Sequence, residues 1–314
     1  MNKKECDILV VGDLNVDLIF NKINKMPQLG EEQRADEMDL TMGGSTAIFA
    51  CNIAKLDSRV EYMSKIGEDS FGRFLLEEMK SYNVGVGSII SDSAYRTGAT
   101  IILNIQNDRL MVTYPGAMEY LSVDEITDEI LGSARHIHTS AIFFQPLLKQ
   151  KLAELFKRAK NLGLTTSMDT QWDPEEKWDL DLEKILPNLD FFLPNEDEFI
   201  RLTDQPDLEK ALDSLAHYNT CFVIKRGTKG ALMFHHKKKT SIPSLKVSNI
   251  VDTIGAGDSF NAGFIHAYLN GNDLSTCLEE GTRTAAVSTT AAGGVDAIIS
   301  YQQVLEKSKE LTDT

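Results

Sequence analysis

Six short apolar runs recur along this chain with amphipathic stretches between them, and no other feature restricts its fold as strongly. Ile8 to Val11, Val60 to Ile66, His136 to Ala141, Thr165 to Asp169, Phe191 to Leu193 and Cys221 to Ile224 read as strands buried on both faces. Buried parallel strands need crossover helices. Phe71 to Tyr82, Leu147 to Leu162 and Leu208 to His217 carry that periodicity, and Gly163 is placed to end the second. The pattern predicts an α/β fold with a doubly wound, mostly parallel sheet flanked by helices, whose ligands bind beyond the carboxyl ends of the strands. With 314 residues, 42% of them hydrophobic, one large domain spanning 1–314 is expected.

Two stretches break the alternation. Residues 15–42 and 96–114 hold no helical pattern and read as extended pieces around turns such as Gln106-Asn107-Asp108, which predicts a small β-sheet lid. Ile101, Ile102, Leu103 and Ile105 put apolar groups on both faces of one strand. Two readings stand open: substrate on one face with a second subunit on the other, giving a homodimer through paired lids, or a lid packed on its own domain.

Charge and cysteines narrow the partners. The net charge of -15, from 47 acidic and 32 basic residues, opposes a polyanion-binding surface, so no nucleic acid is expected. Cys6, Cys51, Cys221 and Cys277 share no Cys-x-x-Cys spacing and mostly lie in apolar stretches, as reduced thiols of a cytoplasmic protein do. The opening MNKKECDILVVGDLNVD offers a four-residue apolar run before Gly12 and Asp13, too short for a signal or a span, and no later segment reads as a membrane span.

The chemistry gathers in DTIGAGDSFNAGF, residues 252–264. The backbone N–H groups of Gly255, Ala256 and Gly257 can turn toward one point at little steric cost. A helix is expected from Ser259 to Tyr268 with Phe260, Phe264 and Ile265 on its buried side, so these groups form an anion cradle at its positive end. Asp258 beside a phosphate site is either a helix cap or the general base that takes a proton from an attacking hydroxyl. No Gly-Lys-Ser/Thr and no His-Arg-Asp occurs, and the third glycine of a dinucleotide fingerprint is replaced by Phe260.

Set in order, these landmarks resemble the ribokinase family of sugar kinases, also called the PfkB family, over nearly the full chain. DTIGAGDSFNAGF is similar to its C-terminal signature. Supporting segments are GDLNVDLI (12–19), Gly43-Gly44 at a helix start, IGEDSFGRFL (66–75), TGATIIL (97–103), YPGA (114–117), LPNEDEF (193–199) and KRGTKGA (225–231). The resemblance implies transfer of the γ-phosphoryl group of ATP to a sugar hydroxymethyl group, with Asp258 as base and Gly255, Ala256 and Gly257 as anion hole. It implies sugar contacts from Asp13, Asn15, Asp17, Gly43 and Gly44. Asn15 and Asp17, two apart on a strand, point to one side, though lid-turn chemistry explains them as well.

For the nucleotide the resemblance implies Asn195, Lys225, Gly227, Thr228 and Gly230. Glu198 is implied to hold Mg2+ through water, and Asp252 and Ile254, with carbonyls around Ala292 to Gly294, a monovalent cation such as K+. Bland readings accompany two of these: an N-capped acidic surface helix at 195–198, and a plain hairpin after Lys225, because 231–241 read as two strands around HHKKK. His235 and His236 read as a solvated turn.

The departures bear on substrate. Ile48 and Met118 stand where the family commonly has asparagine, and Asp169, Gln171 and Asp173 lack the arginine of its Asp-x-Asn-x-Arg pattern. The resemblance therefore implies a small neutral sugar, ribose- or fructose-like, over an acidic one. A nucleoside is the alternative, since Ile48, Met118, Phe143 and Phe144 suit a nucleobase if they face the site. A catalytically silent sugar- or nucleotide-sensing module is a third reading.

Overall fold

The computed structural model describes residues 4–23, 25–105 and 108–312. The turn expected at Gln106-Asn107 lies outside them. In chain order the strands are β1 (Ile8–Val11), β2 (Asn15–Ile23), β3 (Glu37–Gly43), β4 (Val60–Met63), β5 (Lys65–Gly67), β6 (Val84–Gly85), β7 (Ile90–Asp92), β8 (Gly98–Ile105), β9 (Asp108–Tyr114), β10 (His136–Thr139), β11 (Thr165–Met168), β12 (Phe191–Phe192), β13 (Cys221–Lys225), β14 (Ala231–His235) and β15 (Lys238–Ile242). The helices are α1 (Ser45–Lys55), α2 (Ser70–Ser81), α3 (Asp128–Gly132), α4 (Pro146–Gln150), α5 (Leu152–Asn161), α6 (Leu182–Ile185), α7 (Glu196–Thr203), α8 (Leu208–Leu215), α9 (Ala256–Leu269), α10 (Leu274–Ser288) and α11 (Tyr301–Thr312).

Nine strands form one sheet in the order β15-β14-β13-β12-β11-β10-β1-β4-β6. It is parallel from β13 to β6 and closes with antiparallel β14 and β15. Successive residues of β1 feed opposite cores: Ile8 and Val10 join the cluster that holds Phe49 of α1 and Phe264 of α9, while Leu9 and Val11 join the one that holds Phe156 of α5 and Leu212 of α8. Burial on both faces is why these strands read as continuous apolar runs. Aspartates set several helix starts: Asp69, Asp207 and Asp273 accept the amides of Gly72, Lys210 and Thr276 at 2.9 Å each.

Local boundaries depart from the sequence pattern in three places, each for a physical reason. The run Val60 to Ile66 divides at Ser64, whose hydroxyl donates to the Gly12 carbonyl (2.7 Å), so β5 leaves the main sheet and pairs with β7. The expected helix 147–162 breaks at Lys151, where φ is -117°. The helix expected from Ser259 begins at Ala256, after Gly255 at φ +69°.

β3-β2-β8-β9 form a separate four-stranded sheet, antiparallel except for the β2–β8 pair. One face covers the carboxyl ends of the main strands. Ile102 on that face is 4% exposed, while Ile101 on the other is 42% exposed. The outward apolar face is thus not covered by the chain's own helices.

Phe192 of β12 is fully buried against the rings of Phe199 and Phe222, which also pack on each other. Phe192→Ala is expected to cost about 3–5 kcal/mol in urea unfolding with little change in the slope; a loss below about 1 kcal/mol would show that this ring does not anchor the core.

Candidate active site

Five parallel strands end at one cleft of about 900 Å3, which Asp13, Ala141, Gln171 and Asn195 line just past β1, β10, β11 and β12, and Lys225 at the last residue of β13. The small sheet roofs it. Two helices point their amino ends into it. Gly44, at φ +103°, opens α1, and Gly255, at φ +69°, opens α9; a Cβ on either would lie within 2.7 or 2.9 Å of neighbouring atoms, so only glycine fits. The helices are clamped by Asn52, whose amide donates to Ser259 Oγ and the Gly294 carbonyl at 2.9 Å each.

Asp258 lies in the first turn of α9, with Gly255 as the capping residue, and is 5% exposed. The first intrahelical bond here runs from the Ser259 amide to the Gly255 carbonyl at 2.8 Å. The amides of Gly257 and Asp258 precede it and, by helix geometry, have no partner within the helix, whereas the Ala256 amide of the expected cradle donates to the Thr253 carbonyl at 3.3 Å. Asp258 Oδ1 accepts hydrogen bonds from the Ser45 hydroxyl and from Gln171 Nε2 (3.1 Å), and Ser45 Oγ also meets Ser140 Oγ at 2.8 Å. Burial pushes the carboxyl up to about 7; Asp169 and Asp13 add to the rise, while the Ser45 bond and Lys225 oppose it.

Asn195 and Glu198 form a reciprocal capping box: Asn195 Oδ1 accepts the Glu198 amide (2.8 Å), and Glu198 Oε2 accepts the Asn195 amide (3.0 Å). Both nevertheless line the cleft, and Glu198 is 4% exposed. The surface-helix reading fails for Glu198. Burial first, then Asp169, raises its pKa, and Lys225 opposes them.

Lys225 closes β13 and pairs with Asp169 Oδ2, which also accepts Asn261 Nδ2 at 2.7 Å. Lys225 and Gly227 line the cleft, whereas Thr228 and Gly230 lie outside its wall. Gly230 serves the hairpin to β14: a Cβ there would fall 2.0 Å from the Ile242 carbonyl. His235 is the last residue of β14, and His236 opens the turn that leads to β15. Asp252 accepts the amides of Ile254 (2.9 Å) and Gly293 (3.1 Å), which joins two segments of the cleft rim.

Beneath the small sheet, Asn15 Nδ2 donates to Asp17 Oδ1 (2.8 Å) and Thr100 Oγ1 (3.1 Å). Burial raises the Asp17 carboxyl to about 6. Gly43 is what leaves room for it, since a Cβ there would lie 2.1 Å from Asp17 Oδ1. Asp13 also lines the cleft, but its two oxygens accept the Ser45 (3.0 Å) and Thr46 (2.9 Å) amides at the start of α1. Ile48, Met118 and Phe144 face the cleft; Phe143 instead packs edge-on against Trp178, 5.7 Å between centroids.

Ser45, Ser140 and Asn261 enter the site without having been singled out in the sequence. Asn261 had a readable signal, three residues beyond Asp258 and so on the same helical face. Ser45 had only its place after Gly43-Gly44.

A family model described as pfkB family carbohydrate kinase matches residues 6–299. The chain belongs to the pfkB family of carbohydrate kinases. Among curated proteins the kinase is 28% identical over 308 residues to a deoxyribokinase of Salmonella typhi, covering 96% of this chain and 98% of that one. It is 27% identical over 311 residues to a nucleoside kinase of Methanocaldococcus jannaschii, covering 98% of both. The ribokinase-like fold is matched by the Arabidopsis thaliana ribokinase structure, complexed with ribose and ATP, at a TM-score of 0.85, 24% identity and coverage of 97% and 99%. The kinase is thus a sugar kinase or nucleoside kinase by family, and the silent sensing module gives way to an enzyme.

Burial of Asp258 has a thermodynamic consequence. From about pH 4 to 7 the folded kinase holds a proton that the unfolded chain, near 3.8, has released, so this group lowers stability as pH rises through that window. Asp258→Asn escapes the penalty. Its melting temperature relative to the unsubstituted kinase is expected to rise between about pH 4.5 and about pH 8; a difference that does not vary with pH would place Asp258 at an ordinary carboxylate pKa.

Proposed function

We propose that the kinase transfers the γ-phosphoryl group of ATP to a hydroxymethyl group of a small neutral sugar, ribose- or fructose-like, with Asp258 as general base and the backbone of Gly255, Ala256 and Gly257 as anion hole. The observation that carries this reading is a buried carboxyl titrating near neutrality in the first turn of α9, beside helix amides with no partner in the helix. A base poised near pH 7 is what proton abstraction from an alcohol requires. The hydroxyl oxygen bonds to the γ-phosphorus as the bond to the β–γ bridging oxygen breaks. The proton passes to Asp258 and the electron pair leaves on ADP.

Glu198 fits a role toward Mg2+. Its Oε2 is held by the Asn195 amide, and its charge sits among acids that a cation would relieve. Among the described residues no group of three or more His, Cys, Asp or Glu could hold a metal ion. A single carboxylate beside nucleotide phosphates suits a cation that keeps most of its water. When bound, magnesium supplies positive charge to the phosphates. Lys225 and Gly227 contact the nucleotide from the end of β13, and Asn195 meets a phosphate oxygen. The loop that Asp252 ties to Gly293, with Ile254, offers carbonyls to a monovalent cation, K+ in this reading.

Asn15 and Asp17 bind sugar hydroxyls from β2, and Asp13 positions α1 beneath them. The Asp173 carboxylate, at the place of the missing arginine, is used by the amides of Glu175 and Trp178 (3.0 and 2.7 Å), which favours a neutral substrate. A nucleoside is the second reading, supported by Ile48, Met118 and Phe144 in the cleft wall. We treat 1–314 as one kinase domain with a lid, the small sheet. Exposed Ile101 and Val112 on its outer face favour a homodimer through paired lids. Four buried free cysteines suit a cytoplasmic protein.

With ATP, Mg2+ and a panel of aldoses, ketoses and nucleosides, Asp258→Asn is expected to lower kcat about 10²–10⁴-fold for the accepted substrate while ATP affinity, read by calorimetry, stays within about threefold. Undiminished turnover would remove Asp258 as base. The lid reading predicts a dimer in light scattering that Ile101→Asp converts to monomer; a monomeric unsubstituted kinase at micromolar concentration contradicts it.

A further inference from the structure

Between β11 and α6 the chain runs through residues 169–181 without helix or strand, and the one residue there that lines the cleft has a left-handed backbone: Gln171 has φ +60°. That conformation costs free energy in a residue with a side chain and persists where the surroundings impose it. Both flanks do so. Asp169 and Thr170 before it are fully buried, and the Asp169 amide donates to the Thr139 carbonyl at 3.0 Å. After it, buried Asp173 accepts the amides of Glu175 and Trp178. Arg201 of α7 lies over the Trp172 ring, 4.8 Å from its centroid, and Trp172 meets Trp178 edge-on at 5.0 Å.

This bracing delivers one contact to the cleft. Gln171 Nε2 donates to Asp258 Oδ1 at 3.1 Å, the oxygen that also accepts the Ser45 hydroxyl. Among the described residues no hydrogen bond reaches Asp258 Oδ2. A carboxylate with two donors on one oxygen keeps the other for what enters the cleft. Glutamine does this without adding charge.

Resting on the functional reading above, we propose that Gln171 is a positioning residue for proton transfer: with Ser45 it holds Asp258 Oδ1, so that Oδ2 takes the proton of the acceptor hydroxyl. The O–H bond breaks and its proton goes to Oδ2. The hydroxyl oxygen forms the bond to the γ-phosphorus, and the bond to the bridging oxygen breaks with its electron pair left on ADP. The left-handed backbone is retained because it carries the amide to Asp258.

A second effect falls on protonation. A donor to a carboxylate stabilises the charged form, so Gln171 and Ser45 work against the burial that keeps Asp258 protonated. The charged groups that act on Asp258 are Asp169 past β11, Lys225 at the end of β13 and Asp13 past β1; Ser45 of α1 and Ser140 past β10 are neutral. An exchange at Gln171 leaves all of these in place. Loss of its amide therefore raises the pH at which the base becomes active.

The test follows Asp258 with and without turnover. In substrate-free kinase carrying 13C-labelled aspartate, the Asp258 carboxyl resonance is assigned by its absence from Asp258→Asn. Its titration midpoint is expected to rise by about half to one pH unit in Gln171→Gly, and further in Gln171→Glu, which keeps the shape, loses the donor and adds a like charge. With ATP, Mg2+ and the member of the acceptor panel above that turns over fastest, the acid limb of kcat moves with the midpoint. kcat of Gln171→Gly at pH 6.5 falls about three- to tenfold, while KM for ATP stays within about threefold. Gln171→Gly, relieved of the left-handed cost, is expected to melt no lower than the unsubstituted kinase, which separates the shift from damage to the fold.

Unmoved midpoints and acid limbs in both variants, or a kcat lowered by one factor at every pH, would overturn the proposal. Full turnover by Asp258→Asn defeats the functional reading and the proposal with it, whereas an inactive Asp258→Asn beside an unmoved acid limb defeats the proposal alone.

Discussion

The contact between α1 and α9 is the constraint on which the site depends. Both helices open at glycines held at positive φ, and both openings are crowded: Gly255 has Gly294 and Ile48 within 3 Å of a Cβ position, and Gly44 has the Asp13 carbonyl. α9 is buried from Asp258 to Ala267, so it has no free face on which to shift. With both helices fixed, Asp258 has nowhere to go but into the cleft floor beside Ser45. Its raised pKa follows from that placement, because desolvation is the largest cause.

Electrostatics explains how a chain of net charge -15 can face a polyanionic nucleotide. The local field is what counts within a cleft of low dielectric. Asp13, Asp169, Glu198 and Asp258 crowd the floor, but each is engaged by amides, hydroxyls or Lys225. Two helix amino ends and one ammonium supply the opposite sign at the point where the phosphates are proposed to lie. Burial near acids holds Asp258 and Glu198 near or toward neutrality, which also lowers the negative charge a nucleotide would meet.

The main sheet was readable because buried parallel strands announce themselves as apolar runs: β1 falls at the residues expected, and β13 within one. Boundaries set by long-range bonds were not readable, such as the break at Ser64, which depends on Gly12. Local pattern also could not choose between capping and chemistry. At Asn195 and Glu198 a complete capping box coexists with a place in the cleft wall. At Asp258 the capping position belongs to Gly255 instead. The contacts that define the surroundings of Asp258 join residues 213 and 87 positions apart, Ser45 and Gln171 to Asp258, and no spacing rule reaches that far. Thr228 and Gly230 illustrate the reverse, motif residues that the hairpin geometry of β13 and β14 turns away from the cleft.

The central claim is that this cleft moves a phosphoryl group from ATP to a sugar-type hydroxymethyl group. Phosphorus NMR of the purified kinase with ATP, Mg2+ and individual neutral sugars or nucleosides tests it most directly. The account predicts, for at least one acceptor, a new phosphomonoester resonance that grows in step with ADP, split by coupling to a methylene group. Release of ADP with inorganic phosphate alone, or no change across the whole acceptor panel, would contradict it.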